Sequence, residues 1–264
     1  MNKVTASNKI IEFSNLLYEV EQVRVPSPPL TELDKELTIT DAYHIQLTNI
    51  EKKKEAGQKV IGKKIGLTSL AMQKLLNVDQ PDYGHLLDRM VIENQGVVTK
   101  EKVLQPKVEG EIAFVLKDDL KGPNVTAMDV LMATDYILPA IEIVDSRIKD
   151  WKIKLADTIA DNASSGLYVL GGKPTPVDSV DLAQIGMVLE KNGEIVNTGV
   201  GAAALGNPAN CVAWLANKLY EFGITLKKGE VILSGALSAA VDAKSGDYFT
   251  IRLAHLGSVS VRFE

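Results

Sequence analysis

The chain is 264 residues long, 45% hydrophobic and 24% charged, with 29 Lys+Arg against 34 Asp+Glu, three His and one Cys. A chain of that size forms one large domain, or a core with an appendage, and buries roughly 70–75% of its unfolded surface, so it needs no disulfide or structural metal to fold. A net charge of −5 excludes a global electrostatic case for nucleic acid or an anionic membrane, the lone Cys211 excludes an internal disulfide, and His44, His85 and His255 are too scattered for a Cys/His zinc site.

The segment MNKVTASNKIIEFSNLLYEV is interrupted by Asn, Glu and Ser in every apolar stretch, unlike a signal peptide. No run approaches the ~18 apolar residues of a membrane span, and the expectation is a cytoplasmic protein. Ile10, Phe13, Leu17 and Val20 form one stripe of an amphipathic helix. The prolines of VRVPSPPLTELDKELT then predict an extended surface connector. Thr40 is the expected cap of a second helix, with Tyr43, Leu47 and Ile50 on one face, a solvated EKKK run, and Gly57 as terminator.

From Val60 the texture becomes short strands and turns. KVIGKKIGLT reads as β, Ser69 as the cap of a helix LAMQKLLNV, and QPDYG as a turn. LQPKVEGEIAFVL and LPAIEIV read as strands, separated by a helix that starts at Thr126 with Asp129 in a capping-box position. PANCVAWLANKLYEFG is a helix from Pro208 to Gly223, and VILSGAL, DYFTIRL and SVSVRFE are further strands. The predicted fold class is α+β, a helical N-terminal region over residues 1–60 and a β-rich body over 61–264.

In a strand, alternate side chains share a face, so Glu109 and Glu111 project together, roughly 6–7 Å apart, while Gly110 leaves the opposite face open. Their apolar flanks suggest burial, and a cation relieves a buried like-charge pair. Glu142 lies in the equally apolar Ala140–Val144. Three carboxylates without His or Cys suit an oxygen-liganded Mg²⁺ or Mn²⁺. The pattern alone leaves a second reading open, a solvated strand face with Glu142 paired to Arg147 or a lysine.

In Gly62-Lys63-Lys64-Ile65-Gly66 the two lysines face opposite ways, so one can point into a pocket, although a Gly-rich turn with two surface lysines fits as well. No P-loop, Gly-x-Ser-x-Gly elbow or dinucleotide fingerprint is present. Asp161–Gly166 is either a plain turn or a source of hydroxyl and amide groups for a polar substrate. His85 has no orienting partner in the sequence and reads as incidental, and Cys211 reads as core.

Taken together, GKKIGLTS, VDQPDYGHLLD, LQPKVEGEIAFVL, IEIVDSRIKDWKIKLADTIADNASSG and GEVILSGAL resemble the 2-hydroxypenta-2,4-dienoate hydratases of bacterial aromatic meta-cleavage pathways. These are grouped with the 4-oxalocrotonate decarboxylases in the fumarylacetoacetate hydrolase superfamily. The resemblance runs from about Asp41 to the C-terminus and implies a fumarylacetoacetate hydrolase-like mixed β-roll/sandwich body. It maps the metal ligands onto Glu109, Glu111 and Glu142, and assigns Lys64 to the pocket while Lys63 stays on the strand surface. Asp82 in QPDYG and Trp151 in DSRIKDW match the hydratases, whereas Ser165 and SAAVDAKSGD lean towards the decarboxylases. Asp82 tips the balance, because water addition needs a group to activate or deliver water.

The resemblance implies hydration of a 2-hydroxydienoate to 4-hydroxy-2-oxopentanoate. Lys64 would stabilise the enolate oxygen or carboxylate and relay a proton, unless it pairs with Asp82. Asp82 would be the base for water or the shuttle for the C5 proton, and Ser164 would bind the carboxylate or orient the water. The alternative is a metal-dependent decarboxylase of 2-oxo-3-hexenedioate. A homo-oligomer, and association with the pathway decarboxylase, are further expectations of the resemblance.

Overall fold

The computed structural model describes residues 8–70, 73–74 and 78–264. Helices α1 (Asn8–Val23), α2 (Leu30–Leu33) and α3 (Ile39–Glu55) precede strands β1 (Val60–Gly66), β2 (Asp82–Leu87), β3 (Val91–Ile92), β4 (Val97–Val98) and β5 (Pro106–Leu116). Helix α4 (Ala127–Ala133), strand β6 (Thr134–Asp145) and helix α5 (Leu155–Ala160) lead to β7 (Ser165–Leu170), β8 (Gly186–Lys191) and β9 (Glu194–Val200). Helix α6 (Pro208–Tyr220) and strands β10 (Val231–Leu233), β11 (Val241–Asp242), β12 (Tyr248–Leu253) and β13 (Gly257–Phe263) complete the chain.

Among the described residues the strands form two sheets. One runs β2-β1-β10-β5-β6-β7-β3 with β11 added to β5, and the other runs β4-β13-β12-β8-β9. The parallel β1–β10 pair inside an otherwise largely antiparallel sheet makes the body mixed, in accord with the α+β expectation. The long antiparallel pair β5–β6 sets the register that matters, Glu109 opposite Glu142 and Glu111 opposite Ala140. Alternation sends Glu109 and Glu111 to one face and Gly110 to the other.

That other face is closed, contrary to expectation. A Cβ on Gly110 would overlap Met187 Sδ on β8 and approach Ile251 on β12, so glycine is what lets the second sheet pack against the first. The helical N-terminal region shares this core. Ile10, Phe13 and Leu17 belong to the same buried cluster as Ile65, Tyr83 and Ile112. From α3, the Gln46 amide donates to the carbonyls of Tyr83 and Ile159 at 2.9 and 2.8 Å, and Tyr43 stacks on Tyr83 with centroids 4.7 Å apart.

Several local expectations are corrected. Thr38, not Thr40, caps α3, because Asp41 three residues on completes a capping box with it. In the EKKK run Lys53 is buried and paired with Glu21 at 2.6 Å, since α1 packs across that face. The proline-rich connector is not simply extended and surface-lying. It contains α2, buries Leu30 completely, and fixes Thr31 through hydrogen bonds from its backbone N–H and hydroxyl to Asp157. Asp82 opens β2 rather than sitting in a turn, because it pairs with Gly66 of β1. The helix expected after Ser69 falls largely outside the described residues. The Thr126 cap, the Pro208 start and the buried Cys211 are as expected.

Candidate active site

Strand pairing brings the three glutamates together. One carboxylate oxygen from each of Glu109, Glu111 and Glu142 lies within 4.8 Å of the others. Glu111 and Glu142 are buried and Glu109 is half-buried at the edge of a cavity of about 350 Å³. Gly235, just after β10, donates its N–H to Glu111 Oε2 at 2.7 Å, leaving Glu111 Oε1 and both Glu142 oxygens buried without a well-directed hydrogen bond. Glu142 Oε1 has the Lys64 ammonium nearby, but Glu111 Oε1 and Glu142 Oε2 have no such partner, and buried carboxylate oxygens of that kind are costly unless a cation meets them. The donor set, all carboxylate oxygen, fits a hard divalent ion such as Mg²⁺ or Mn²⁺.

Lys64 leaves β1 towards this cluster. Its Nζ is 3.1 Å from Glu142 Oε1 and donates to the Ala163 carbonyl at 3.0 Å. The ion pair expected as an option between Lys64 and Asp82 is thus replaced by one with Glu142. Lys63, expected on the strand surface, is instead 3% exposed and pairs with Glu230 at 2.6 Å. Both faces of β1 are covered, so both lysines are buried and each needs its own carboxylate.

Asp82 lies on β2 in register with Gly66, on the same side of the sheet as the Lys64 ammonium. Its Oδ2 accepts from the Thr158 hydroxyl at 3.2 Å, while Oδ1 has no hydrogen-bond partner. Ser164 is 3% exposed, with Oγ 3.5 Å from Thr158 Oγ1. It ends a left-handed run of non-glycine residues, Asn162, Ala163 and Ser164, with φ of 55°, 50° and 52°. Each such residue costs about 1–2 kcal/mol relative to the right-handed region. Two clamps hold the run. Asn162 accepts from His85 N at 2.8 Å and donates to His85 O at 2.9 Å, and the Arg147 guanidinium grips the side chain and carbonyl of Asp161. His85 itself faces Gln46 at 3.1 Å and does not line the cavity.

The remaining lining is largely apolar, with Val144 next to Glu142 on the same face of β6, Trp151, Ile153 and the loop alanines Ala236, Ala239 and Ala240. Trp151 has φ of 54°, and its indole donates to Gln105 O at 3.0 Å. Lys107, next on the Glu109 face of β5, lies 5.3 Å over the Trp151 ring and pairs with Asp242 at 2.5 Å.

Burial sets the electrostatics. It pushes Glu109 up to about 7 with help from Glu142, and raises Glu111 well above the usual carboxylate range with help from Glu142 and Glu109. Burial also raises Glu142 and Asp82, with Lys64 opposing in both. For Lys64 burial works against the charge, but Glu142, Asp82, Glu109 and Glu111 outweigh it and hold the ammonium above the ordinary lysine range. One ammonium among three buried carboxyls and the half-buried Glu109 leaves a negative excess that a divalent cation offsets.

All six residues singled out from the sequence thus converge, Glu109, Glu111 and Glu142 at the floor with Lys64, Asp82 and Ser164 around them. Sequence reasoning missed Thr158, since no element was assigned to the ADTIAD stretch that the structure shows as α5, and the Gly235 N–H, which a side-chain pattern does not reveal.

A family model described as Fumarylacetoacetate (FAA) hydrolase C-terminal matches residues 72–264. A 2-hydroxyhexa-2,4-dienoate hydratase of Comamonas testosteroni is 49% identical over 249 residues, 94% of this chain and 94% of that protein. A 2-hydroxypent-2,4-dienoate hydratase of Pseudomonas putida is 53% identical over 216 residues, 81% of this chain and 97% of that protein. Among solved structures, a 4-oxalocrotonate decarboxylase from Pseudomonas putida G7, complexed with magnesium and adipate, matches with a TM-score of 0.94 at 39% identity over 100% of both chains. Likeness of this degree along nearly the whole length means that the chain belongs to the fumarylacetoacetate hydrolase family, on the branch that holds these hydratases and decarboxylases.

Proposed function

We propose that the protein is a metal-dependent hydro-lyase that adds water to 2-hydroxypenta-2,4-dienoate, giving 4-hydroxy-2-oxopentanoate in the catabolism of aromatic compounds by meta-cleavage. The observation that carries this is Asp82, a buried acid beside the Lys64 and glutamate cluster, in a chain 53% identical to a 2-hydroxypent-2,4-dienoate hydratase. Residues 61–264 supply every site residue of this reading, and the described helices of the N-terminal region, α1 to α3, include α3, which braces β2.

Glu109, Glu111 and Glu142 would hold the divalent ion, Mg²⁺ or Mn²⁺, which when bound supplies Lewis-acid polarisation of the substrate's C2 oxygen. Lys64, kept protonated by its acidic neighbours, binds the C1 carboxylate or the developing enolate oxygen. Asp82, its pKa raised by burial, keeps a proton more readily than an exposed aspartate, and exchanges it with C5 of the dienoate or with the water that adds at C4. Ser164 orients that water or the carboxylate. The apolar wall of Val144, Trp151 and Ile153 packs on the hydrocarbon tail and limits bulk water.

Assembly into a homo-oligomer, and association with a pathway decarboxylase, belong to the same reading; the edge strand β9 exposes Ile195, Val196 and Val200. No helix among the described residues is long and apolar enough to cross a membrane.

A second reading, metal-dependent decarboxylation of 2-oxo-3-hexenedioate, is favoured by the match to the 4-oxalocrotonate decarboxylase. One assay separates them. Each substrate is supplied with Mg²⁺ or Mn²⁺, and the hydratase reading expects 4-hydroxy-2-oxopentanoate from the dienoate and no CO₂ from the diacid. Release of CO₂ as the main reaction reverses the assignment. Asp82→Asn should lower kcat by about 100-fold or more while changing metal affinity by less than about threefold. A parallel loss of metal binding, measured by calorimetry, would make Asp82 structural instead.

A further inference from the structure

Thr158 lies within α5, is 6% exposed and lines the candidate cavity. A helical threonine can return its hydroxyl to the carbonyl four residues earlier, as Thr48 does to His44 at 2.7 Å. Thr158 does not. Its Oγ1 lies 3.2 Å from Asp82 Oδ2 and 3.5 Å from Ser164 Oγ, between two groups that the hydratase reading gives separate tasks.

We propose that Thr158 is a positioning residue for the hydration reaction, a single hydroxyl that ties the hydrogen-bond direction of Ser164 to the proton on Asp82. The inference rests on the hydratase reading. A hydroxyl has one proton and two lone pairs. Facing ionised Asp82, Thr158 must donate to it and can only accept from Ser164. Ser164 then spends its proton on Thr158 and offers lone pairs to the cavity, the polarity that accepts from a water O–H. Once Asp82 is protonated it donates to Thr158, Thr158 donates to Ser164, and the Ser164 proton turns towards the cavity, the polarity that binds a carboxylate or carbonyl oxygen. No bond is made or broken at Thr158. The three hydroxyl and carboxyl protons reorient in order, and the only proton given up to substrate is that of Asp82.

The neighbourhood supports this role. Ser164 is fixed by the left-handed run, Asp82 by its strand, and α5 is tied to the N-terminal region through Asp157, which accepts from Thr31 N at 2.9 Å. All three oxygens therefore stand on braced backbone, so the direction of the chain of hydrogen bonds is what remains free to change.

The test uses the full-length protein with Mg²⁺ and 2-hydroxypenta-2,4-dienoate. Thr158→Val keeps the shape and removes the hydroxyl; kcat should fall roughly 10–100-fold with KM changed less than about threefold, and Thr158→Ser should recover kcat to within about threefold of the original. In an Asp82→Asn background the same Val substitution should cost less than about threefold more, because the residue it acts through is gone. Melting temperature and Mg²⁺ titration check that each variant folds and binds metal, and Thr158→Ala is read on the same scale if valine is not accommodated. An unaltered kcat in Thr158→Val, a serine variant as slow as the valine one, or fully multiplicative losses with Asp82→Asn would each overturn the role of Thr158 alone. Absence of hydration by the unaltered protein would overturn the functional reading, and this role with it.

Discussion

Replacing Glu109 by Gln should make the metal-free protein more stable at neutral pH and abolish its response to metal. Burial and Glu142 raise the Glu109 carboxyl from its ordinary 4.5 to about 7. A folded pKa above the unfolded value means that the contribution to stability is complete below about pH 4.5 and is lost as pH rises through about 7. Ionising such a group in the fold costs at most roughly 3 kcal/mol, and about 1–2 kcal/mol after allowance for its half-exposed position. Glutamine mimics the protonated acid and avoids that cost. At pH 8 in EDTA, Glu109→Gln should therefore melt about 3–6 °C above the unaltered chain. Near pH 4 the two should melt together. Adding Mg²⁺ or Mn²⁺ at pH 8 should raise the melting temperature of the unaltered protein and leave the variant nearly unmoved, reversing their order. Scanning calorimetry across pH 4–8, with and without metal, reads all of this. A variant that is less stable in EDTA at pH 8, or that gains as much from metal as the unaltered chain, would refute the reasoning.

Two further expectations concern the frame around the site. Lys63→Met leaves Glu230 buried and unpaired and should destabilise the protein by about 3–5 kcal/mol, whereas adding Glu230→Gln should recover most of that loss in a denaturant titration; no recovery would mean that the pair does not act as a unit. Gly84→Ala would drive a Cβ into the Asn162 carbonyl and towards Ser165 Oγ, at 2.6 Å. It should displace the left-handed run and lower kcat at least about tenfold, with metal affinity kept within about threefold, and an unchanged kcat would show that the run tolerates the shift.

The glutamate triad was legible because strand alternation is a strict period of two, and three acids in apolar runs stand out against it. Only the pairing of β5 with β6, which sets Glu109 opposite Glu142, required the fold. Lys64 could be preferred to Lys63 only through resemblance. Alternation says that the two lysines diverge, but not that both faces are covered, and the partner of Lys63 is 167 residues away. The same reason hides the true setting of Asp82, since a Gln-Pro-Asp sequence looks like a turn until Gly66 supplies a neighbouring strand. The turn carrying Ser164 was recognised as polar, but its left-handed backbone was not, because Asn162, Ala163 and Ser164 are held there by distant groups rather than by glycine. Thr158 was invisible for a related reason: the ADTIAD stretch does not say which distant strand its side chains will face.

The charged floor of the cavity and the loop that also lines it differ in how they are made. Glu109, Glu111, Glu142, Lys64 and Asp82 all stand on strands of one sheet, while Ala236, Ala239 and Ala240 come from the short connection between β10 and β11. That connection is anchored at its near end, where Gly235 N meets Glu111 and Leu237 N meets the Gly110 carbonyl at 3.0 Å. Beyond the anchor its small side chains can be enlarged or exchanged without moving a charged group of the floor. In the hydratase reading, the part of the cavity that can be reshaped is thereby separable from the charged groups that carry the chemistry.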